Sequence, residues 1–121
     1  MANPNIVNVT SSLGKTDTFA LTTANANLVT ATANTVFKIN SILITNIDGT
    51  NAADVDVYYY DGTNTRAIAS TISVPADAAL NLIDKNSSFY LEENEVISGK
   101  ASANSDLNCL ISYEIISQGG N

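Results

Sequence analysis

The chain has 121 residues, room for one domain of ordinary size with a buried core. With no His, no Trp and a single Cys, it excludes imidazole acid–base chemistry, Ser-His-Asp and Cys-His nucleophiles, most zinc sites and any disulfide within the chain. A formal net charge of −7, with only 5 basic residues scattered along the sequence, argues against nucleic acid, whose phosphates require clustered Lys and Arg.

Charged residues make up 14% of the chain, well below the usual share of about 25%. Their place is taken by small polar residues: Asn 16, Thr 13 and Ser 12. With Val 8 and Ile 12, the 13 Thr complete a large β-branched set, which favours strands over helices.

Residues 1–16 read as an extended arm or a short edge strand. Ile6, Val7 and Val9 form an apolar trio set among Asn, Thr, Ser and Pro4. The first residues carry neither a basic stretch nor an apolar run of signal-peptide type, which implies synthesis in a cytoplasm. The uncharged stretch 18–37 is as long as a membrane span but rich in Thr and Asn, whose polar groups are costly in hydrocarbon; no membrane partner is expected.

Strands are predicted from residue 17 onward, separated by turn residues. Residues 18–22 and 28–33 are short strands. Residues 35–47 form the strongest apolar segment, with Phe37, Ile39, Leu43 and Ile47 on one face and Val36, Ile42 and Ile44 on the other. Both faces are apolar, so this is a central strand, with a bulge expected near Ser41. Asp48-Gly49-Thr50-Asn51 is a turn.

Residues 53–60 alternate, Val55, Val57 and Tyr59 against Asp54, Asp56, Tyr58 and Tyr60. Asp61-Gly62 then marks a hairpin into a strand over 65–74, with Ile68, Ile72 and Val74 pointing one way and Pro75 ending it. Leu80 and Leu82 lie on a short strand, with a single helical turn over 76–83 as its competitor. Strands over 89–91 and 96–103 flank the acidic turn 92–95. The last strand alternates most cleanly, with Leu107, Cys109, Ile111, Tyr113 and Ile115 on its apolar face.

Three groups bear on chemistry. Asp48, Asp54, Asp56 and Asp61 gather around one hairpin, but their spacing is not that of a calcium loop; a solvated outer face is the simpler reading. Glu92, Glu93 and Glu95 read as a charged strand edge that discourages edge-to-edge pairing. Tyr58 and Tyr60 emerge on the outer face, where rigid, half-polar rings suit a subunit contact. Cys109 reads as a small buried thiol.

The segments Val36-Phe37-Lys38-Ile39-Asn40-Ser41-Ile42-Leu43-Ile44-Thr45-Asn46, Ala53-Asp54-Val55-Asp56-Val57, Ser73-Val74-Pro75-Ala76-Asp77-Ala78, Leu80-Asn81-Leu82-Ile83-Asp84-Lys85, Phe89-Tyr90-Leu91-Glu92-Glu93-Asn94-Glu95, Gly99-Lys100-Ala101-Ser102-Ala103 and Ile111-Ser112-Tyr113-Glu114 occur in a familiar order. Over about two-thirds of its length the chain resembles the small all-β virion proteins of tailed bacteriophages, particularly those of marine and cyanobacterial hosts. Those proteins often have Gly-Asp after the Leu-Glu-Glu run. Here Asn94-Glu95 stands there, and Asn tolerates the left-handed turn conformation.

The resemblance implies a structural part of a virus particle with no catalytic residues and no cofactor. It also implies a homo-oligomer, often a trimer, contacting the major capsid protein or another virion protein. The expected architecture is all-β: an antiparallel β-sandwich, jelly-roll-like, spanning 17–118, with the arm 1–16 before it and a flexible tail 119–121 after it. Ile6, Val7, Val9, Tyr58 and Tyr60 are the candidate partner interface. The alternatives are a tail or neck component, and a carbohydrate-binding sandwich using Tyr58, Tyr60 and the aspartates.

Overall fold

The computed structural model describes residues 11–117. Ile6, Val7 and Val9 and the tail 119–121 lie outside the described residues. Nine strands follow one another: β1 Ser11–Ala20, β2 Ala26–Thr30, β3 Thr35–Asn46, β4 Ala53–Tyr60, β5 Thr65–Val74, β6 Ala79–Ile83, β7 Phe89–Leu91, β8 Val96–Ala101 and β9 Leu107–Ser117. No helix occurs among the described residues. The helical alternative over 76–83 gives way to β6, whose backbone is satisfied by pairing with Ile42–Thr45 of β3.

The strands form two antiparallel sheets. One runs β1-β9-β3-β6, with β7 also on β3; the other runs β2-β8-β4-β5. With β7 set aside, the pairs β1·β9, β2·β8, β3·β6 and β4·β5 are nested, first with last and inward. That is one long antiparallel hairpin coiled into two layers, the jelly roll. Ser11–Thr16, assigned to the arm by composition, already belong to β1 and pair with β9 from Ser11↔Ser117 onward.

The core lies between the layers. Phe37, Ile39, Ile42 and Ile44 of β3, Val55 and Val57 of β4, Ile97 of β8, and Leu107, Cys109, Ile111 and Tyr113 of β9 pack into one cluster. Burial of each large aliphatic side chain contributes on the order of 2 kcal/mol. The β3–β9 register shifts between Ile39 and Ser41, so the bulge falls where it was expected. Its consequence differs from the simple alternation. One extra residue flips the phase, so that Ile42 and Ile44 follow Phe37 and Ile39 into the core. Leu43 turns outward, and Ile47 is 56% exposed.

A second shift of phase occurs in β5. Thr71 stands at φ 51°, left-handed for a β-branched residue, and Ala69 is buried while Ile68 is only half-buried. The turns use Asp as a local acceptor. Asp61 Oδ1 accepts the backbone N–H groups of Thr63 at 2.9 Å and Asn64 at 2.7 Å, with Gly62 at φ 95°. Asp48 Oδ1 does the same for Thr50 at 2.8 Å. Asn94 has φ 67°, the left-handed turn its side chain tolerates.

β1 is an edge strand, and it carries Lys15 and Asp17 in line with its core-facing residues. Asp17 accepts the Tyr113 hydroxyl at 2.6 Å and lies 3.7 Å from Lys15. Inward-pointing charge of this kind hinders the addition of another strand at the edge.

Candidate functional site

Strand parity gives each sheet an inner and an outer row. On β4 the outer row is Asp54, Asp56, Tyr58 and Tyr60. Across the ladder, Asp56 stands opposite Lys100, Tyr58 opposite Ser98 and Tyr60 opposite Val96. Both tyrosines therefore stand on the outer face of the β2-β8-β4-β5 sheet. Tyr58 is half-buried, and the Tyr60 hydroxyl donates to the Gly62 carbonyl at 2.9 Å. Asp56 Oδ1 accepts both the backbone N–H and the hydroxyl of Thr71. The polar groups of this face are thus largely engaged in holding their own strands. No group of three or more His, Cys, Asp or Glu is placed to hold a metal ion among the described residues.

The acidic turn departs from the sequence reading. Glu95 is 5% exposed and faces inward, not along a solvated edge. Its Oε1 accepts the Tyr59 hydroxyl and the Glu92 backbone N–H, the latter at 2.8 Å. Desolvation and the Glu95 carboxylate together hold the Tyr59 hydroxyl neutral well above the usual phenol range. The alternating pattern of β4 already turned Tyr59 inward; a buried polar ring needing a partner was the signal that could have found Glu95. Glu93 is tied as well, accepting the Asn34 backbone N–H at 2.6 Å.

The outer face of the other sheet is chemically different. Its rows are Ala20, Asn108, Thr45 and Ala79; Thr18, Leu110, Leu43 and Asn81; Thr16, Ser112 and Ser41; then Gly14, Glu114, Lys38 and Tyr90. Its charges are confined to the Glu114–Lys38 row. Thr16 and Ser112 share a hydroxyl hydrogen bond at 3.0 Å. Leu110 is 39% exposed at the centre of β9. Beside it, a shallow depression of about 360 Å³ is lined by Thr18, Phe19, Ala20, Asn108 and Leu110. The sequence reading missed this face because Leu110 breaks an otherwise polar alternation and has no partner along the chain. Only the β1-β9-β3 register brings Leu110, Leu43 and Thr18 into one row.

Cys109 lies on the inner row of β9, fully buried, and desolvation pushes its thiol up to about 12. Both the burial and the raised thiol disfavour the thiolate on which cysteine reactivity depends.

Comparison with solved structures finds a similar fold in viral capsid and pilus proteins. A capsid structure of Helicobacter pylori bacteriophage KHP30 matches with a TM-score of 0.55 at 11% identity, covering 92% of this chain and 91% of that one. A protein of Bacillus endospore appendages, described as disulfide-linked pili, matches with a TM-score of 0.51 at 13% identity, covering 88% and 86%. Infectious bursal disease virus, Gx strain, matches with a TM-score of 0.50 at 16% identity, covering 93% of this chain and 34% of that one. The likeness is one of fold. No family model and no curated protein matches the sequence.

Proposed function

We propose that this protein is a structural subunit of a tailed-phage virion, a capsid decoration (cement) protein that works as a homo-oligomer. The observation that carries this reading is the outer face of the β1-β9-β3-β6 sheet. It is broad and mostly neutral, with Leu110 partly exposed on it, and its strand residues are charged only along the Glu114–Lys38 row. Interface cores are depleted in charge in the same way. Repetition over a symmetric shell multiplies a weak individual contact into firm attachment.

The match to a phage capsid structure over nearly the whole of both chains supports the same reading. So does the absence of His from the chain, together with tyrosines and carboxylates that hold strands and turns rather than converge on a cleft. The pilus likeness is the less apt guide. That protein is described as disulfide-linked, whereas the single Cys of this chain is buried.

Ile6, Val7 and Val9 supply a neighbour contact, and Tyr58 and Tyr60 a second surface toward the capsid. The test is the copy number in purified virions of the phage that encodes the chain. A copy number comparable to that of the major capsid protein is expected. The copy number of a single ring would move the protein to the neck or tail, and its absence from particles would end the reading. Removing residues 2–10, which stops short of β1, is expected to weaken assembly while leaving the melting temperature unchanged.

A further inference from the structure

Residues 1–10 precede Ser11, the first residue of β1, which pairs with Ser117. The depression beside Leu110 lies at the opposite end of the same sheet, where Thr18 pairs with Leu110 and Ala20 with Asn108. Seven residues of strand separate Ser11 from Thr18, about 23 Å. The five residues from Ser11 back to Ile6 span at most about 18 Å when fully extended, which is less than that distance. Val7 and Val9 reach less far still. The apolar trio therefore cannot settle in the depression of its own chain.

The two surfaces nonetheless match in chemistry. The side chains of residues 1–10 carry no charge, and neither do those of Thr18, Phe19, Ala20, Asn108 and Leu110. The partly exposed Leu110 gives branched aliphatic side chains an apolar floor at that end of the sheet. Resting on the homo-oligomeric reading above, we infer that the segment Ile6–Val9 of one copy docks into the Thr18–Ala20–Leu110 depression of a second copy, linking subunits head to tail. A head-to-tail contact is heterologous: it closes into a ring where the rotation between neighbours completes a turn, and otherwise runs on as a filament.

The experiment mixes two full-length variants, Val7→Cys and Thr18→Cys, of distinguishable mass; the native Cys109 is buried and silent. Mild oxidation is expected to yield the mixed Val7→Cys–Thr18→Cys dimer in excess over either symmetric dimer. Adding Leu110→Asp to the Thr18→Cys partner is expected to cut that yield by about tenfold, as for loss of a central apolar anchor. Leu110 is 39% exposed and Asp is poorly suited to a strand, so a modest fall in melting temperature is expected and the yield is read where the variant is fully folded. A parallel mixture with Ala67→Cys, on the outer face of the other sheet, serves as the control. Preferential linkage to Ala67→Cys, symmetric Val7→Cys dimers alone, or no linkage would each overturn the docking. Light scattering separates the two levels: an oligomer without the mixed linkage removes this docking only, whereas a monomer at all concentrations removes the homo-oligomeric reading with it.

Discussion

The side-chain amide of Asn46, at the end of β3, donates to the carbonyl of Val74, at the end of β5, at 2.9 Å. It is 1% exposed, and it ties the two sheets together at one end of the sandwich. The same amide donates to the Asn51 carbonyl at 3.0 Å, and its Oδ1 accepts the Asp48 backbone N–H at 2.9 Å. Each donor and acceptor of this buried group is used.

Replacing Asn46 therefore leaves several backbone groups without partners in a dry site. Asn46→Leu, which has the same branching but no polar atoms, is expected to cost about 2–4 kcal/mol, because each unsatisfied buried group costs on the order of 1–3 kcal/mol. Asn46→Asp keeps the acceptor for Asp48 but sets a carboxylate against two carbonyls, so it should be no better tolerated. Urea titration of each variant measures the loss.

Tyr59, near the end of β4, and Glu95, in the turn before β8, form a second, partly buried polar pair. Tyr59→Phe removes one of the donors that hold a buried carboxylate, and Glu95→Gln removes the charge. Each single change is expected to destabilise by about 1–3 kcal/mol, and the double variant by less than their sum. A double-mutant cycle on unfolding free energies gives the coupling. Strict additivity would show that the contact contributes nothing.

At Thr71 the backbone adopts a left-handed conformation, and Asp56 Oδ1 holds it through two hydrogen bonds. Asp56→Ala is expected to lower stability by about 1–2 kcal/mol. Combined with Thr71→Gly, which adopts that φ without strain, the loss should shrink. Thermal melts of the single and double variants check the ordering.

Stability is expected to be flat through neutral pH and to fall at both ends. Backbone N–H donors, from Thr50 first for Asp48 and from Asn64 first for Asp61, hold these carboxyls below the ordinary 3.8. Their contribution is complete above that value and is lost as the pH falls through it toward the folded-state pKa. At the alkaline end the sign reverses. Cys109 is raised from 9.0 to about 12 by desolvation, and Tyr59 and Tyr113 are raised above their ordinary 10.0 by burial and by their carboxylate partners. These groups stay neutral when folded and ionise first in the unfolded chain, so stability is lost as pH rises through about 9–10. Urea midpoints across the pH range measure both limbs.

Cys109 is expected to be unreactive toward a thiol reagent in the native protein and to react in step with unfolding, because it has no exposed surface. Prompt stoichiometric labelling of the folded chain would contradict the packing of β9.

Much of the fold was legible along the chain, for a local reason. Strand alternation, Asp- and Asn-centred turns and β-branched enrichment are properties of neighbours in sequence. The last strand shows this best: Leu107, Cys109, Ile111 and Tyr113 fall on the core face that their alternation predicts. The bulge at Ser41 was legible as a break in pattern, but which residues it would send inward was not. That depends on the β9 partner register, which admits Ile42 and Ile44 and turns Leu43 out.

The buried role of Glu95 was likewise hidden, since a carboxylate among acidic turn residues looks solvated until Tyr59 is placed against it. The two tyrosines proposed as an interface do stand on an outer face, yet the neutral face around Leu110 lies on the other sheet. Residue type and spacing alone were enough to show that this chain makes antiparallel strands and lacks the histidine on which imidazole catalysis and His-activated nucleophiles depend. Only the tertiary structure decided which strands share a sheet and which side chains share a surface. Pairing between residues as distant as Thr18 and Leu110 is set by long-range backbone hydrogen bonds that no local pattern records.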